Sequence, residues 1–281
     1  SMIFLPKFDL DNIIKNLPKA SAMMGVPTFY TRLLGDNRFD RNLVQHIRLF
    51  ISGSAPLLSE THIQFKKITG HKILERYGMT ETNMNTSNPY NGERRAGTVG
   101  LPLPGVELKI TDPETAKELS IDEIGKIEVR GPNVFKGYWK MPEKTKAELR
   151  KNGFFITGDL GKIDQDGYVH ILGRDKDLII SGGYNIYPKE LEEVIDDQAG
   201  VLESAVIGVP HPDFGETPIA IIVSETETAP DLGVIERSLS KSLARYKQPK
   251  KLFLIDQLPR NTMGKVQKNI LREEYKSLFS D

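Results

Sequence analysis

Hydrophobic and polar positions follow one texture up to about residue 90 and another beyond it. The first part alternates short apolar runs with stretches of helical spacing. Met2-Ile3-Phe4-Leu5 reads as a buried strand, and Asp9 or Asp11 can cap a helix running to about Leu17. Ser21 to Val26 reads as the next strand, ending at Pro27, after which Thr28 can cap a helix over Phe29 to Leu34. The pattern repeats with a strand at Ile47 to Ile51, a small-residue turn at Ser52 to Pro56, a helix from about Ser59 to Ile68 and a strand at His71 to Glu75. Strands alternating with helices imply parallel βαβ units, whose ligands bind beyond the carboxyl ends of the strands.

From Asn91 the chain turns to glycine, proline and short β-patterned runs at Val106 to Thr111, Gly125 to Arg130 and Tyr168 to Leu172. These predict a small, curved antiparallel subdomain. The middle of the stretch from Gly153 to Glu190 reads as a hinge between two domains, with nucleotide chemistry at their junction. The stretch holds a turn ending in an exposed acid (Thr157-Gly158-Asp159), a charged run (Arg174 to Asp177) and the pair Gly182-Gly183 ahead of a helix start at Pro188. Beyond it lie a helix to Ile195, strands at Val201 to Val209 and Pro218 to Val223, a helix from about Leu232 to Ala244, a strand at Lys251 to Ile255 and a helix from about Gln267 to Phe279. The expected class is α/β: a partial parallel βαβ sheet subdomain (1–90) and a small antiparallel β subdomain (91–175), followed by a hinged α+β domain (176–281).

Composition narrows the chemistry. The 281 residues hold 38 basic and 38 acidic side chains, so no global field favours nucleic acid or an anionic membrane. The absence of cysteine excludes disulfides, thiolate catalysis and cysteine-zinc sites, and suits a reducing cytoplasm. No apolar run reaches the roughly 18 residues needed to span a bilayer. The five histidines, at positions 46, 62, 71, 170 and 211, fall singly without metal-ligand spacing. There is no G-x-S-x-G elbow and no G-x-x-x-x-G-K-[ST] loop.

The first chemical constellation is Tyr77-Gly78-Met79-Thr80-Glu81-Thr82. Glycine lets the backbone approach a ligand, the Thr80 hydroxyl can bond a phosphate oxygen, and Glu81 offers magnesium a hard oxygen. Alone, the segment reads rather as a helix N-terminus capped by Thr80. Its companions change that reading: SGSAP, YGMTET, TVGLPLPG, TGDLG, GRDKD and PRNTMGK follow one another in order. In this order they resemble the adenylate-forming acyl-CoA synthetases.

The resemblance implies roles residue by residue. Gly53, Ser54, Ala55 and Pro56, with Tyr77, Gly78 and Met79, match the walls around adenine and the acyl-phosphate. Thr80 matches the phosphate contact, Glu81 the Mg2+ ligand, and Asp159 the acid that accepts the ribose hydroxyls, with Arg174 beside it. Lys176 corresponds to the hinge position, Gly182 and Gly183 to the loop that lets pantetheine pass, and Lys265 to the lysine that stabilises charge during adenylation. Read singly, Asp159 is a turn acid, Arg174 a surface ion pair and Lys265 an exposed loop residue. Lys268 and Arg272, one helix face apart, read as a solvated face rather than a CoA-phosphate site.

Within the family, Arg76 before YGMTE and the run Asn83 to Tyr90 resemble the malonyl-CoA synthetase subfamily. The implied reaction uses ATP, CoA and a dicarboxylate such as malonate. Arg76, Ser54 and Met79 would contact the acid, although by itself Arg76 reads as a partner for Glu75 or Glu81. The family's Ser/Thr/Gly-rich phosphate loop would lie upstream of Ser1, so the chain is expected to be a carboxyl-terminal portion, with the missing segment as a covalent or separate partner. Another acyl- or aryl-CoA ligase remains an alternative, and two other classes stay open: a catalytically silent nucleotide-binding fragment, and a peptide-synthetase adenylation domain. The second is disfavoured because no carrier domain follows Asp281.

Overall fold

A computed structural model describes residues 2–5, 8–225, 229–261 and 264–279. The chain divides into two compact units, one of residues 1–157 and 161–171, the other of residues 158–160 and 172–281. No helix among the described residues is long and apolar enough to cross a membrane.

The first unit opens with α1 (Leu10–Asn16), capped by the Asp9 carboxylate on the Asn12 N–H. Then come β1 (Ala22–Gly25), α2 (Pro27–Leu34), α3 (Arg41–Val44), β2 (Leu49–Ser52), α4 (Ser59–Thr69) and β3 (Leu74–Met79). β1, β2 and β3 are parallel neighbours, with Gly25 beside Ser52 and Ser52 beside Glu75. Their carboxyl ends therefore open on one edge. Beneath that edge, Tyr30, Phe50 and Phe65 interlock edge to face, and Leu33, Val44, Ile47 and Ile73 fill the space around them. The buried Tyr30 hydroxyl donates to the Ile51 carbonyl at 2.6 Å, and burial raises its pKa well above the ordinary tyrosine value.

The same sheet continues through β4 (Asn83–Ser87) and β5 (Leu101–Pro102), both added antiparallel. A separate sheet runs in the order β6 (Glu107–Thr111), β7 (Gly125–Arg130), β8 (Phe155–Ile163) and β9 (Val169–Arg174), and α5 (Pro142–Glu148) lies between β7 and β8 in the chain. Ile110, Ile127, Val129, Phe155 and Val169 form its core, together with Tyr77 from β3.

Several expectations are corrected. Residues 2–5 form no strand: their backbone adopts no regular structure, and Met2 and Phe4 are 84% and 75% exposed. Only Leu5 packs against the core. Pro27, not Thr28, opens α2, because its fixed φ suits the first helical position; no side chain caps that end. β3 begins later than expected and runs on to Met79, so Tyr77-Gly78-Met79 is strand and Thr80 caps no helix. Thr157-Gly158-Asp159 is likewise strand, and Asp159 is only 4% exposed. In the first unit α3, β4, β5, α5 and β8 went unread in the pattern.

The second unit contains the hairpin β10 (Ile179–Ser181) and β11 (Tyr184–Ile186), then α6 (Pro188–Asp196), β12 (Val201–His211), β13 (Gly215–Ser224), α7 (Leu232–Ser242), β14 (Leu252–Ile255) and α8 (Lys268–Tyr275). The strand order is β11-β10-β13-β12, with β14 parallel to β13. The runs Ala205 to Val209 and Ile219 to Val223 are almost unbroken apolar sequence because both faces of this sheet are covered. Val206, Ala220 and Ile222 meet Leu191 and Ile195 of α6 and Ile235 and Leu239 of α7. Ala205, Ile207, Ile219 and Ile221 meet Leu258 and Leu271 on the opposite face.

One buried charge in the first unit has a dedicated neutraliser. Glu128 on β7 is fully buried; it accepts from Thr111 Oγ1 at 2.9 Å and from Arg150 Nε and Nη2 at 2.8 and 2.5 Å, with Lys109 Nζ 3.9 Å away. Removing one partner of such a pair leaves an uncompensated charge, so Arg150→Ala should cost about 3–5 kcal/mol of stability by urea denaturation. A loss below about 1 kcal/mol would mean that Lys109 neutralises Glu128 unaided.

Candidate functional site

In the first unit the candidate residues gather where β3 exchanges a parallel neighbour for an antiparallel one. Glu75 lies beside Ser52 of β2, whereas Arg76 already faces Ser87 of β4. The β3–β4 register shifts between Tyr77 and Gly78, and the Asn83 carbonyl fills the resulting space. A Cβ on Gly78 would stand 1.9 Å from that oxygen, so only glycine fits here. Thr80 and Glu81 form the turn that follows.

The loop after β2 is shaped by its surroundings and by local backbone strain. Buried Glu75 accepts the Leu57 N–H at 3.0 Å through Oε1, which fixes the loop's exit. Ser54 adopts φ +72°, a left-handed conformation uncommon for a residue with a side chain. Ser54, Ala55 and Pro56 are exposed, and Gly53 is buried under Arg76. A Cβ on Gly53 would come within 3.3 Å of Arg76 Nη1 and 3.4 Å of its Cγ and Cζ, so the missing side chain lets the guanidinium lie flat on this loop.

Arg76 makes no ion pair among the described residues. Its Nη1 points at the Met84 sulfur at 3.2 Å and its Nη2 at the Met24 sulfur at 3.1 Å. Thioethers are weak acceptors. The two neighbouring acids are engaged elsewhere, Glu75 with Leu57 and Glu81 with Tyr138. A half-buried guanidinium thus faces the end of the parallel strands with sulfur where carboxylate oxygens would normally stand.

Tyr138 was missed by sequence reasoning. Its hydroxyl lies 3.1 Å from Glu81 Oε1 and 2.5 Å from Glu148 Oε2, so one phenolic proton stands between two carboxylates. Burial, with both acceptors, raises its pKa. The Glu81 backbone is fixed too, its carbonyl accepting the Phe135 N–H at 2.8 Å. Lone tyrosines in a glycine-containing loop give no sequence signal for this; the contact depends on α5 bringing Glu148 close.

The polar run Asn83 to Tyr90 has a structural use. Asn85, Thr86 and Asn88 are buried. Asn88 Nδ2 donates to the Thr98 carbonyl at 2.9 Å, Thr86 Oγ1 to that of Val99 at 2.7 Å, and Asn133 Nδ2 to those of Thr82 and Met84 at 2.7 and 3.0 Å. These bonds hold β4 in place beneath the Thr80–Glu81 turn.

The second unit holds the other candidates. Arg174 Nε pairs with Asp159 Oδ1 at 2.9 Å, an ion pair with one buried and one half-exposed member. Lys176 is exposed in a single 3-10 turn, Asp175–Asp177. Gly182 and Gly183 form a two-residue hairpin turn with φ of +56° and +82°, both left-handed as such a turn requires. Nothing lies within 4 Å of where a Gly183 Cβ would be. Lys265 is exposed, and its neighbours Thr262 and Met263 lie outside the described residues. Lys268 and Arg272 are not a solvated face: they pair with Glu192 and Asp177, both at 2.6 Å, and tie α8 to α6 and to the 3-10 turn.

A strained small-residue loop and an acid-bearing hairpin at the carboxyl ends of parallel strands define a ligand site of the α/β type. The model of the AMP-binding enzymes matches residues 1–139, and that of the AMP-binding enzyme C-terminal domain matches residues 190–265. The chain belongs to the AMP-binding enzymes.

Among its relatives are a probable CoA ligase, CCL8, of Humulus lupulus, 41% identical over 96% of this chain, and a malonate–CoA ligase of Arabidopsis thaliana, 39% identical over 96%. The match takes in 50% and 49% of those proteins, so the chain spans about half the length of the curated relatives it matches. The crystal structure of ATP-bound MatB from Rhodopseudomonas palustris is 62% identical, with a TM-score of 0.96 over 99% of this chain and 55% of that one.

Gly78→Ala should destabilise the first unit by about 3 kcal/mol, the upper end for overpacking, because backbone rather than a movable side chain occupies the space. Urea denaturation measures this, and a stability equal to the parent would mean that the β3–β4 bulge is not required.

Proposed function

We propose that the protein containing this chain is an ATP-dependent acid–CoA ligase that activates malonate: malonate and ATP give malonyl-adenylate and pyrophosphate, and CoA then displaces AMP. The observation that supports this reading is Arg76, a half-buried guanidinium with two thioether neighbours and no ion pair among the described residues. Carrying a second carboxylate into an acyl pocket is costly unless a cation meets it, and guanidinium stays charged while offering two parallel N–H groups. The malonate–CoA ligase relative supports the choice of acid, and the ATP-bound MatB structure supports the use of ATP.

In this reading Ser54 is a second donor to the acid, Gly53 to Pro56 and Tyr77 to Met79 wall the adenylate, and the Thr80 hydroxyl holds phosphate. Glu81 with Thr80 fits Mg2+, a hard cation that takes one or two carboxylates and draws its remaining ligands from phosphate and water. Bound there, Mg2+ would neutralise phosphate charge. Asp159, charge-compensated by Arg174, accepts the ribose hydroxyls. Lys176 is the hinge, Gly183 gives pantetheine a passage free of side chains, and Lys265 brings a point charge to the reacting phosphate and carboxylate.

In a full-length enzyme, Arg76→Ala should lower malonate kcat/KM by about 3 kcal/mol, the scale for a buried charge left without its partner. Activity on propionate should fall much less, or rise. Parallel kinetics on the two acids decide the matter, and an unchanged ratio would remove Arg76 from the acid site.

Lys265→Ala separates the half-reactions. Adenylation, followed by ATP–pyrophosphate exchange, should slow at least about 100-fold, the scale for losing a preorganised charge-stabilising group. Thioester formation from supplied malonyl-adenylate should persist. Equal losses in both steps would make Lys265 structural.

A further inference from the structure

The segment that carries Lys265 leaves the core at Leu258 and returns to it at Val266. Its stems are anchored, since Leu258 and Val266 pack into the core beneath β12 and β13, and Pro259 accepts the Gln267 N–H at 2.8 Å. Arg260 and Val266 then form an isolated antiparallel bridge. Further out, Asn261 N–H donates to the Lys265 carbonyl at 3.0 Å, Lys265 N–H to Asn261 Oδ1 at 3.0 Å, and Gly264 N–H to the Asn261 carbonyl at 2.9 Å. Gly264 at φ +78° permits the tight return. These contacts give the loop a shape, and a further contact ties it to the rest of the unit.

Arg260 makes that tie. Its Nη1 donates to the Gly264 carbonyl at 2.6 Å, and its Nη2 forms an ion pair and hydrogen bond with Glu203 Oε2 on β12. One rigid guanidinium therefore joins the residue before Lys265 to the long strand β12. The pair is partly shielded, at 29% and 26% side-chain exposure. The Lys265 ammonium makes no ion pair among the described residues, so where this flexible side chain can reach is set by its backbone.

We propose that Arg260 and Glu203 are positioning residues for adenylation, a clamp that holds the backbone at Gly264–Lys265 where the lysine can reach its target. The proposal rests on the adenylation role of Lys265 given above. It assigns Arg260 no contact with substrate. A planar fork can serve the carbonyl and the carboxylate together, whereas a lysine at the same position offers a single point charge and cannot hold both in the same geometry.

The test uses the full-length enzyme with Arg260→Lys, Glu203→Ala, Lys265→Ala and the double variant Arg260→Lys/Lys265→Ala. Arg260→Lys and Glu203→Ala should each slow ATP–pyrophosphate exchange by about 10- to 100-fold in kcat, the scale of a misplacement of about 1 Å, with the KM values for ATP and malonate unchanged. Thioester formation from supplied malonyl-adenylate should stay at the parent rate, which also shows that both variants fold. The double variant should be no slower than Lys265→Ala alone, because a positioning residue has nothing left to position. Multiplying losses in the double variant, equal losses in both half-reactions, or parent-level exchange by Arg260→Lys would each overturn the clamp. Parent-level exchange by Lys265→Ala would instead remove the role of Lys265 on which the clamp rests.

Discussion

A carbonyl oxygen occupies the space where residue 78 would carry a Cβ, and the first unit's candidate site depends on that. Because Gly78 admits the Asn83 carbonyl, β3 can leave its parallel neighbour and fold back against β4 within a few residues. Arg76 and Tyr77 are the last two side chains before the bulge, Arg76 against the loop after β2 and Tyr77 in the core of the second sheet, and Thr80 and Glu81 emerge at the turn. Any residue larger than glycine would force the strands apart and scatter groups that lie next to one another in the chain but are aimed by the bulge.

The first unit treats its buried charges in two ways. Glu128 is surrounded by Thr111, Arg150 and Lys109, as expected of a charge whose only task is to be tolerated. Arg76, on the open edge of the other sheet, faces two sulfurs instead. Thioethers leave the guanidinium's hydrogen-bonding capacity largely unspent. A side chain left under-satisfied beside a loop strained at Ser54 is consistent with a site that keeps its strongest interaction for a ligand.

In the second unit the same economy appears at the level of elements. A sheet covered on both faces supplies the stability, and ion pairs at its margin supply the placement. Lys268 with Glu192 and Arg272 with Asp177 lock α8 to α6 and to the turn holding Lys176, while Arg260 with Glu203 reaches out to the Lys265 loop. Each pair is modest alone. Together they let a short, glycine-containing loop stand on a rigid base.

Sequence alone carried most of the alternation of strands and helices from residue 10 to residue 79, though not the strand expected at 2–5, and the main strands and helices of the second unit, because burial on one face or two leaves a periodic or continuous apolar record. It also carried the order of the motifs, and through it the AMP-binding family, since a fixed series of small, acidic and basic residues survives without reference to any fold. Where polar residues are buried, the record failed. Asp159 read as an exposed turn acid and proved to be a strand residue paired with Arg174; the Asn83 to Ser87 strand has almost no apolar members to announce it; and Lys268 and Arg272 read as solvated but are paired. The partners in these cases come from distant parts of the chain, and hydropathy cannot distinguish a satisfied buried polar group from a solvated one. Only the tertiary structure decided that Arg76 faces sulfur rather than a carboxylate, that Tyr138 stands between Glu81 and Glu148, and that Arg260 ties the Lys265 loop to Glu203, because each depends on the contacts that packing brings together rather than on which residues the chain contains.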